Sequence, residues 1–398
     1  MENSIQLNKK KITLLVMWMT ALSQAAMALY LPSFPAIAKA LTMSPAAIKN
    51  SITIYLIGFG VSQIIYGPLS DRYGRKPILL LGILIFCLGC FINIIAKIQT
   101  VFLFARLLQG IGCGSILTNG RSILRDCFCG RDLASAASYA SMGFAIGFGA
   151  SPIIGAYLSQ YLGWQADFIF LLLAGFSLIF ILGCWLPETR VALDDKSGFQ
   201  QFLKDTLDDY KIIISHRVFL QLLLGGLFAY AVIIAYNVMT PFLIQNILGY
   251  SASTYGWLAV IVAVPYYTAA SVNRELVKKF GTGPIFALGA LLIILSGAAM
   301  AITSLYAKIY LAYIIVPMMI ATFGQALIFS NTIAMALHHF SAAIAGKASA
   351  LFSSLQIIII GVFSAVMAIL PDNNQLPLAL VIVCLGLLAS VVLWKHLK

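Results

Sequence analysis

Charged residues are scarce in this sequence. Of its 398 residues, only 10% are Asp, Glu, Lys or Arg, whereas 61% are hydrophobic. A soluble domain carries about 25% charged residues, so the composition excludes an ordinary soluble protein. The mean hydropathy is +0.97, and runs of about 20 apolar residues are long enough to cross the ~30 Å hydrocarbon core of a bilayer. The sequence therefore predicts a polytopic membrane protein.

Catalytic and metal-binding motifs are also missing. The seven cysteines form no quartet with ligand spacing, and Cys127 and Cys129 lie too close together for a zinc pair. The sequence contains neither HExxH nor GxSxG, and no paired acids lie inside an apolar run. We therefore expect no enzyme, no metal site and no bound cofactor.

The apolar runs predict helices. They lack the alternation of barrel strands, and a helix satisfies its own backbone groups in lipid. The first run follows Lys9, Lys10 and Lys11, which also fits a cleaved signal peptide, but its length and its continuation through Pro32 and Pro35 favour a retained span. The twelve predicted spans, numbered in chain order, cover residues 12–33, 46–68, 77–96, 100–123, 134–159, 166–186, 217–240, 253–273, 283–304, 308–330, 343–369 and 376–394.

The net charge of +12 follows the topology of the spans. All but five of the 25 Lys and Arg residues lie in or beside the segments on the side of the N-terminus. This asymmetry is the positive-inside rule, so we expect both termini in the cytoplasm and no nucleic-acid partner. The exceptions are Lys39, Lys49, Lys97 and Lys308 on the opposite side and Arg106 inside a span.

The chain also shows an internal repeat. Seven residues that begin at Tyr73 recur at a constant offset of 207 positions, beginning at Phe280. Duplication of a six-span unit explains this match, and chance similarity of two membrane loops is the alternative. We predict an N-terminal six-helix bundle at 1–186, a cytoplasmic linker at 187–216 and a C-terminal six-helix bundle at 217–398. Apolar residues at helical spacing predict an amphipathic helix in the linker, with a solvated linker as the alternative.

Charge is concentrated in one short segment between two apolar runs, GPLSDRYGRKP at residues 67–77. Gly67 permits a close helix approach and Gly74 a tight turn. Asp71 is within reach of Arg75, which predicts a charge-assisted pair. Membrane topology alone explains the basic residues, but it explains neither the acid nor the glycines.

This segment resembles the loop signature of the major facilitator superfamily. The likeness to its twelve-span drug:proton antiporter branch, in particular the Bcr/CflA group, extends over essentially the whole chain. It implies an all-α protein of two pseudo-symmetric six-helix bundles in a bacterial inner membrane. It also implies a charge network, here Asp71, Arg75 and Asp126, that latches the two halves together on the cytoplasmic side when the transporter faces outward and breaks as they rock apart. Lys278 replaces the acid in the second half, so the latch is expected to be asymmetric. The full predicted latch is Gly67, Asp71, Arg72, Gly74, Arg75, Lys76 and Asp126.

Span 4 carries further basic residues. Arg106 and Gly110 match the family's span-4 signature, in which the arginine is implicated in proton transfer, and an intramembrane arginine is a functional hypothesis by default. Snorkelling to the outer surface is the alternative. Arg121 lies within about 60° of the direction of Arg106 on a helix, so both fit one water-filled cavity. For Arg121, anchoring at the inner surface is equally compatible.

Span 5 contains small residues four positions apart. Gly143, Gly147, Ser151 and Gly155 form a smooth packing stripe, and Pro152 should kink the helix. The segment resembles the family's antiporter signature, with Ser151 and Ala156 in place of two glycines. Helix packing without any role in transport direction is the alternative.

The expected protonation site of the family is missing. Many Bcr/CflA relatives carry an acid before the Tyr-Leu-Pro of span 1, where this sequence has Ala28, and no acid lies near the middle of a span. We therefore assign proton coupling to Arg106, Arg121 and Asp126, with Asp126 as the candidate protonation site. Histidines 338 and 339 titrate in a suitable range but also fit plain interfacial positions.

Aromatic and neutral polar residues are predicted to line the pathway, which suits hydrophobic or amphipathic substrates. We expect export of such compounds by proton antiport through alternating access, driven by the proton gradient, in a monomer whose partners are substrate, protons and lipid. A carrier for a single metabolite or siderophore-like compound, or a membrane protein without transport activity, are the alternatives. The predicted cavity residues are Gln24, Tyr55, Asn119, Tyr230, Tyr236, Asn237, Tyr266, Gln325, Asn331 and Gln356.

Overall fold

The computed structural model of the protein describes residues 9–189, 199–306, 309–340 and 342–394. Within these residues all regular secondary structure is helical, as expected for backbone that must satisfy its own hydrogen bonds in lipid. Twelve of the described helices are long and apolar enough to cross a membrane. The predicted fold class is confirmed.

The spans keep the numbers of the prediction. Span 1 comprises the helices Lys9–Ala28 and Phe34–Ala40, joined by the 3-10 turn Leu31–Ser33. Span 5 comprises Gly130–Gly149 and Ser151–Leu162, and span 7 comprises Arg217–Phe242 with a π-helical turn, Leu243–Ile247. The other spans are Pro45–Tyr73, Arg75–Ile95, Gln99–Cys127, Gln165–Trp185, Ala252–Phe280, Thr282–Thr303, Ala312–His338, Ala342–Ala368 and Leu376–Leu393.

Equivalent serines start spans 2 and 8. The Ser44 hydroxyl accepts a hydrogen bond from the amide of Ala47 at 3.2 Å, and the Ser251 hydroxyl accepts one from the amide of Thr254 at 3.1 Å. Such a cap satisfies an amide that the helix itself leaves unpaired. Both caps are separated by the same offset of 207 positions (Ser44 to Ser251) as the loop match, which supports duplication.

The loop between spans 2 and 3 is much shorter than predicted. Span 2 was expected to end at residue 68, yet its helix continues to Tyr73 and span 3 begins at Arg75, so Gly74 alone makes the turn. Nothing between Pro68 and Gly74 breaks a helix, and Gly74 adopts φ +96°, which other residues rarely adopt. Asp71 and Arg72 therefore lie in the last helical turn. Gly281, at φ +81°, separates spans 8 and 9 in the same way.

The spans pack as two bundles of six. Spans 1 to 6 contact mainly one another, as do spans 7 to 10 and 12. The bundles meet where span 5 packs on span 8 and where span 11 packs on span 2, which span 11 contacts more extensively than any span of its own bundle. The linker helix Phe199–Ser215 lies against spans 7 and 11. We call the membrane face that holds Gly74 and Gly281 the basic face, and the face that holds Ser44 and Ser251 the opposite face.

Candidate functional site

The predicted charge network assembles at the basic face. Arg75 has a side chain only 4% exposed, and its guanidinium lies 2.6 Å from Asp71 and 2.9 Å from Asp126. It also donates to the Ser70 hydroxyl at 2.7 Å. A guanidinium can point several donors at two carboxylates, which offsets the cost of burying its charge. All four residues belong to spans 2, 3 and 4. These contacts therefore lie within the first bundle, whereas the resemblance implied a latch between the two halves.

Glu188 completes the network, and the sequence analysis missed its role. Its carboxylate accepts hydrogen bonds from the backbone amides of Arg75 at 2.8 Å and Lys76 at 3.0 Å. A carboxylate at a helix N-terminus satisfies free amides and complements the helix dipole. A Cβ on Gly74 would lie 2.6 Å from Glu188 Oε2. The turn therefore needs glycine for its φ and also for the space that Glu188 occupies.

The prediction for Gly67 was wrong. A Cβ at this position would meet only Thr118 Cγ2, at the ordinary contact distance of 4.0 Å. The close approach of span 2 to span 4 occurs instead at Gly110, which lies against the backbone carbonyl of Tyr55. Arg72 remains half-buried beside Tyr73, with its guanidinium carbon 5.9 Å from that ring's centroid.

Another contact at the basic face joins the two bundles, and an ion pair there joins the linker helix to span 11. Arg121 Nη1 donates to the Ser353 hydroxyl of span 11 at 3.0 Å, and Lys347 of span 11 forms an ion pair with Asp209 of the linker helix. Burial, with Asp71 and Asp209 nearby, raises the pKa of the neighbouring Tyr210 to about 12. The linker helix therefore lies beside both the charge network and the junction between the bundles.

Arg106 lies at a separate site deep in the first bundle. It is fully buried, with its guanidinium carbon 4.0 Å from the ring centroid of Tyr30 and 4.5 Å from that of Tyr55. Nη1 donates to the carbonyl of Ala26 at 3.2 Å and to the side chain of Gln109. Cation–π contacts thus take the place of an acid. Among the described residues, Arg106 forms no ion pair, and its Nε and Nη2 have no hydrogen-bond partner. It does not snorkel, and the described contacts of Arg106 and Arg121 share no residue.

A narrow cavity lies where span 5 meets the second bundle. Of the ten predicted cavity residues, Tyr230, Tyr266 and Gln325 line it. The sequence analysis missed the remaining lining residues, although the i, i+4 aromatic pair of span 5 was visible in the sequence. The missed residues are Phe144, Phe148, Ile233, Ala263, Tyr267 and Thr322.

The other predicted cavity residues are buried among helices outside this cavity. The Tyr55 hydroxyl donates to the Ser23 carbonyl at 3.2 Å, and Tyr236 stacks on Tyr255 at 6.4 Å. The amide of Asn119 donates back into its own helix. Asn331 exchanges two 3.0 Å hydrogen bonds with Asn273. The Nδ2 of Asn237 and the Nε2 of Gln356 are buried without a hydrogen-bond partner among the described residues. Gln24 is buried, with 4% exposure.

The small residues of span 5 lie against span 1. A Cβ on Gly143, Gly147 or Gly155 would collide with the backbone carbonyl of Met17, Ala21 or Leu29, in that order. The two helices therefore touch through backbone atoms, as small-residue stripes allow in lipid. Span 5 breaks at Ala150, two residues before Pro152.

Interbundle contacts also close the opposite face, and the sequence analysis did not anticipate them. Lys49, only 1% exposed, pairs with Asp372 at 2.8 Å. Gln245 Nε2 donates to the Pro32 carbonyl at 2.9 Å. In the sequence, Lys49 stands next to a long apolar run and was predicted to face water. Nothing in that local pattern indicates an ion pair with a residue more than 300 positions away.

Comparisons with known proteins agree with the family resemblance. Residues 16–365 match the Major Facilitator Superfamily. Multidrug resistance protein D of Escherichia coli (strain K12) is 29% identical over 97% of this chain and 95% of its own. A chloramphenicol resistance protein of Pseudomonas aeruginosa is 28% identical, over 94% and 86%. A bicyclomycin resistance protein homolog of Haemophilus influenzae (strain ATCC 51907 / DSM 11121 / KW20 / Rd) is 26% identical, over 88% and 87%.

Solved structures share the fold. The inward-open xylose transporter XylE from E. coli has a TM-score of 0.75 at 17% identity, over 98% of this chain and 96% of its own. A D-xylose-proton symporter has a TM-score of 0.77 at 16% identity, over 98% of both chains. The match to the family spans most of the chain, and the twelve apolar helices agree with it. The chain belongs to the Major Facilitator Superfamily and is a multi-pass membrane transporter rather than an enzyme.

Proposed function

We propose that the protein exports hydrophobic or amphipathic compounds, such as drugs and toxic metabolites, in exchange for protons. The observation that carries this proposal is the aromatic cavity between span 5 and the second bundle. Phe144, Phe148, Tyr230, Tyr266 and Tyr267 supply most of its lining. Aromatic faces hold apolar substrates of varied shape.

Polar groups in this cavity are few. The side-chain Oε1 of Gln325 is buried without a hydrogen-bond partner, so it can accept one from a substrate. The Thr322 hydroxyl already donates to the carbonyl of Val262 at 2.9 Å. This balance favours lipophilic molecules over sugars, which need many hydrogen bonds. The names of the relatives, which refer to multidrug, chloramphenicol and bicyclomycin resistance, support the same substrate class.

Transport proceeds by alternating access of the two bundles. The contact at the basic face, Arg121–Ser353, and those at the opposite face, Lys49–Asp372 and Gln245–Pro32, break in turn. The network of Asp71, Arg75 and Asp126 keeps the first-bundle hairpin rigid while the bundles move. In this proposal Arg106, Arg121 and Asp126 also couple transport to proton movement.

The basic face is the cytoplasmic face in this proposal. The positive-inside distribution of Lys and Arg supports that orientation, with both termini in the cytoplasm. The protein acts as a monomer in a bacterial inner membrane, and the proton gradient takes the place of a cofactor.

Everted membrane vesicles test this function. An imposed pH gradient should collapse partly when chloramphenicol or other lipophilic compounds are added to vesicles that contain the protein. It should persist with a sugar and in vesicles without the protein. If no compound of a broad panel moves protons, the proposal is wrong. A response to one compound alone would favour the carrier for a single metabolite or siderophore-like compound.

Tyr266→Ala tests the cavity. Loss of one aromatic contact face should raise the apparent KM about tenfold, which corresponds to about 1.4 kcal/mol. Tyr139→Ala is the control, because Tyr139 is 42% exposed and lies outside the cavity lining. Equal KM values for both variants would remove the cavity from the transport pathway.

A further inference from the structure

Asp167, in the first turn of span 6, stands apart from the other acids. Its residue is fully buried. Oδ2 accepts a hydrogen bond from the Ser33 hydroxyl at 2.5 Å, whereas Oδ1 is buried and has no partner in the described part of the chain. Among the described residues no Lys, Arg or His forms an ion pair with it. Asp126 differs in this respect, because Arg75 holds it at 2.9 Å.

The surroundings of Asp167 disfavour a negative charge. Beside it in sequence, Trp164 and Phe168 pack edge-on against Phe102 of span 4, and Phe168 also packs on Tyr30. Burying a carboxylate without a cation is costly, while a neutral acid with one hydrogen bond is tolerated. The helix N-terminus offers only a partial positive charge in compensation.

Spans 1, 3 and 5 pack against span 6, and span 4 contacts it through Phe102; each of these spans carries ionisable groups. Among the described residues, the half of span 3 toward the opposite face carries the buried thiols Cys87 and Cys90. The guanidinium of Arg106 lies over the Tyr30 ring at 4.0 Å and forms no described ion pair with Asp167. The ionisable groups of spans 1, 3, 4 and 5 in this region are Tyr30, Lys39, Cys87, Cys90, Lys97, Arg106, Tyr157 and Tyr161.

The partner of Asp167 belongs to the closing contact of the opposite face. Ser33 is the last residue of the 3-10 turn that interrupts span 1. Its neighbour Pro32 accepts the interbundle hydrogen bond from Gln245, which lies in the π-helical turn that ends span 7. A change at Asp167 therefore has a short path, through Ser33 and this turn, to a contact between the bundles.

We propose that Asp167 is a proton-binding site that controls opening at the opposite face. With a proton on Oδ1 the acid is neutral, and the closed arrangement with Gln245 on Pro32 is favoured. When the bundles part and water reaches the carboxyl, the proton passes to water and the carboxylate stabilises the open arrangement. Raising the pH on that side therefore favours opening, and lowering it favours closure. The inference rests on the proposed alternating access, and it adds a protonation site near the face from which protons enter.

Distance measurements across the opposite face test this inference. Spin labels at Ala36→Cys and Tyr250→Cys, one on each bundle and both exposed, report its opening in the full chain in lipid nanodiscs. Serine replaces the accessible cysteines Cys127, Cys129 and Cys184, together with Cys384. In this cysteine-substituted protein, the fraction of molecules with a long distance between the two labels should increase as the pH rises.

Asp167→Asn imitates the protonated acid and should keep the short distance at every pH. Ser33→Ala removes the hydrogen bond that the described residues give to the carboxylate, so the pH midpoint of opening should move upward. Asp132→Asn is the control, because Asp132 pairs with Lys9 at the basic face with 60% exposure, and its profile should match that of the cysteine-substituted protein. An unchanged pH profile in Asp167→Asn would overturn the proposal.

Infrared difference spectroscopy supplies a second readout. A pH change should produce a carboxylic-acid C=O band that Asp167→Asn lacks and Asp126→Asn retains. A band lost in Asp126→Asn instead would assign the proton to the charge network. Neither measurement requires transport, so absence of proton antiport in vesicles would refute the proposed function and leave the protonation of Asp167 to be decided by these spectra.

Discussion

The two bundles make the same turn at the basic face with different chemistry. Gly74 and Gly281, separated by the repeat offset of 207, both have positive φ between two long helices. Around Gly74 the chain places Glu188 and the network of Arg75. A Cβ on Gly281 would meet nothing within 4 Å in the described part of the chain. The repeat thus retains the backbone turn, whereas among the residues that the structure describes a buried ionic network surrounds the turn of the first bundle alone.

This difference assigns the two hairpins different mechanical roles. In the second bundle, Lys278 and Glu275 form a 2.9 Å pair with side chains 56% and 72% exposed, and exposed pairs contribute little, about 0–1 kcal/mol. The first hairpin is held by a buried guanidinium and a helix cap. We therefore expect the first hairpin to move as a rigid unit and the second to deform more readily.

Arg75→Ala should give the largest effect. It removes the buried guanidinium that Asp71 and Asp126 share. Both carboxylates are partly exposed, 34% and 21%, so the cost should fall below the ~3–5 kcal/mol of a fully buried ion pair. Thr282 occupies the equivalent position in the second bundle, so Thr282→Ala is the matched control with little expected change. Thermal unfolding in detergent measures both variants. Similar midpoints for the two would mean that the network does not stabilise its hairpin.

Gly74→Ala and Gly281→Ala should give the next largest effects. Both force alanine into a backbone conformation with positive φ, which costs about 1–3 kcal/mol. Only Gly74→Ala also brings a methyl group to 2.6 Å from Glu188 Oε2, so it should lose the helix cap as well. We expect a clearly lower unfolding temperature and slower transport for Gly74→Ala than for Gly281→Ala. Equal losses would show that only the dihedral angle matters.

Glu188→Gln should have a smaller effect. The glutamine side chain keeps one oxygen that can accept from the backbone N–H groups of Arg75 and Lys76, but it loses the negative charge that complements the helix N-terminus. The expected loss of stability is about 1 kcal/mol. Glu275→Gln, which removes an exposed acid from the second hairpin, should be almost silent. Protection of the Arg75 and Lys76 amides in hydrogen exchange measures the cap directly. Unchanged protection in Glu188→Gln would contradict the assigned role.

The sequence predicted the spans and the Asp71–Arg75 pair because both signals are local. Apolar runs of sufficient length identify helices, and Asp71 and Arg75 lie four positions apart. Asp126 lies 51 positions from Arg75 and was assigned from the family resemblance. Glu188 was missed because its partners are backbone amides of a distant segment, which no side-chain pattern reveals. Lys49 was missed for a similar reason, because Asp372 comes from the other end of the chain.

The cavity was predicted less well. Tyr230, Tyr266 and Gln325 line it, whereas Tyr55 and Asn119 pack elsewhere. The rotation of each helix decides which face meets the pathway. In a membrane protein the lipid-facing and protein-facing surfaces are both apolar, so hydropathy does not reveal that rotation.

Installing the missing pair in the second hairpin should give the smallest effect. Lys278→Asp with Thr282→Arg reproduces the i, i+4 arrangement of Asp71 and Arg75, and an exposed pair of this spacing adds only about 0.2–0.5 kcal/mol. The first hairpin draws its strength from burial and from Asp126 and Glu188, which come from distant segments and have no counterpart around Gly281 in the described chain. The double variant should therefore unfold within about 0.5 kcal/mol of the wild type and transport at the same rate. A large stabilisation, measured by thermal unfolding, would mean that sequence-local charge alone accounts for the difference between the two hairpins.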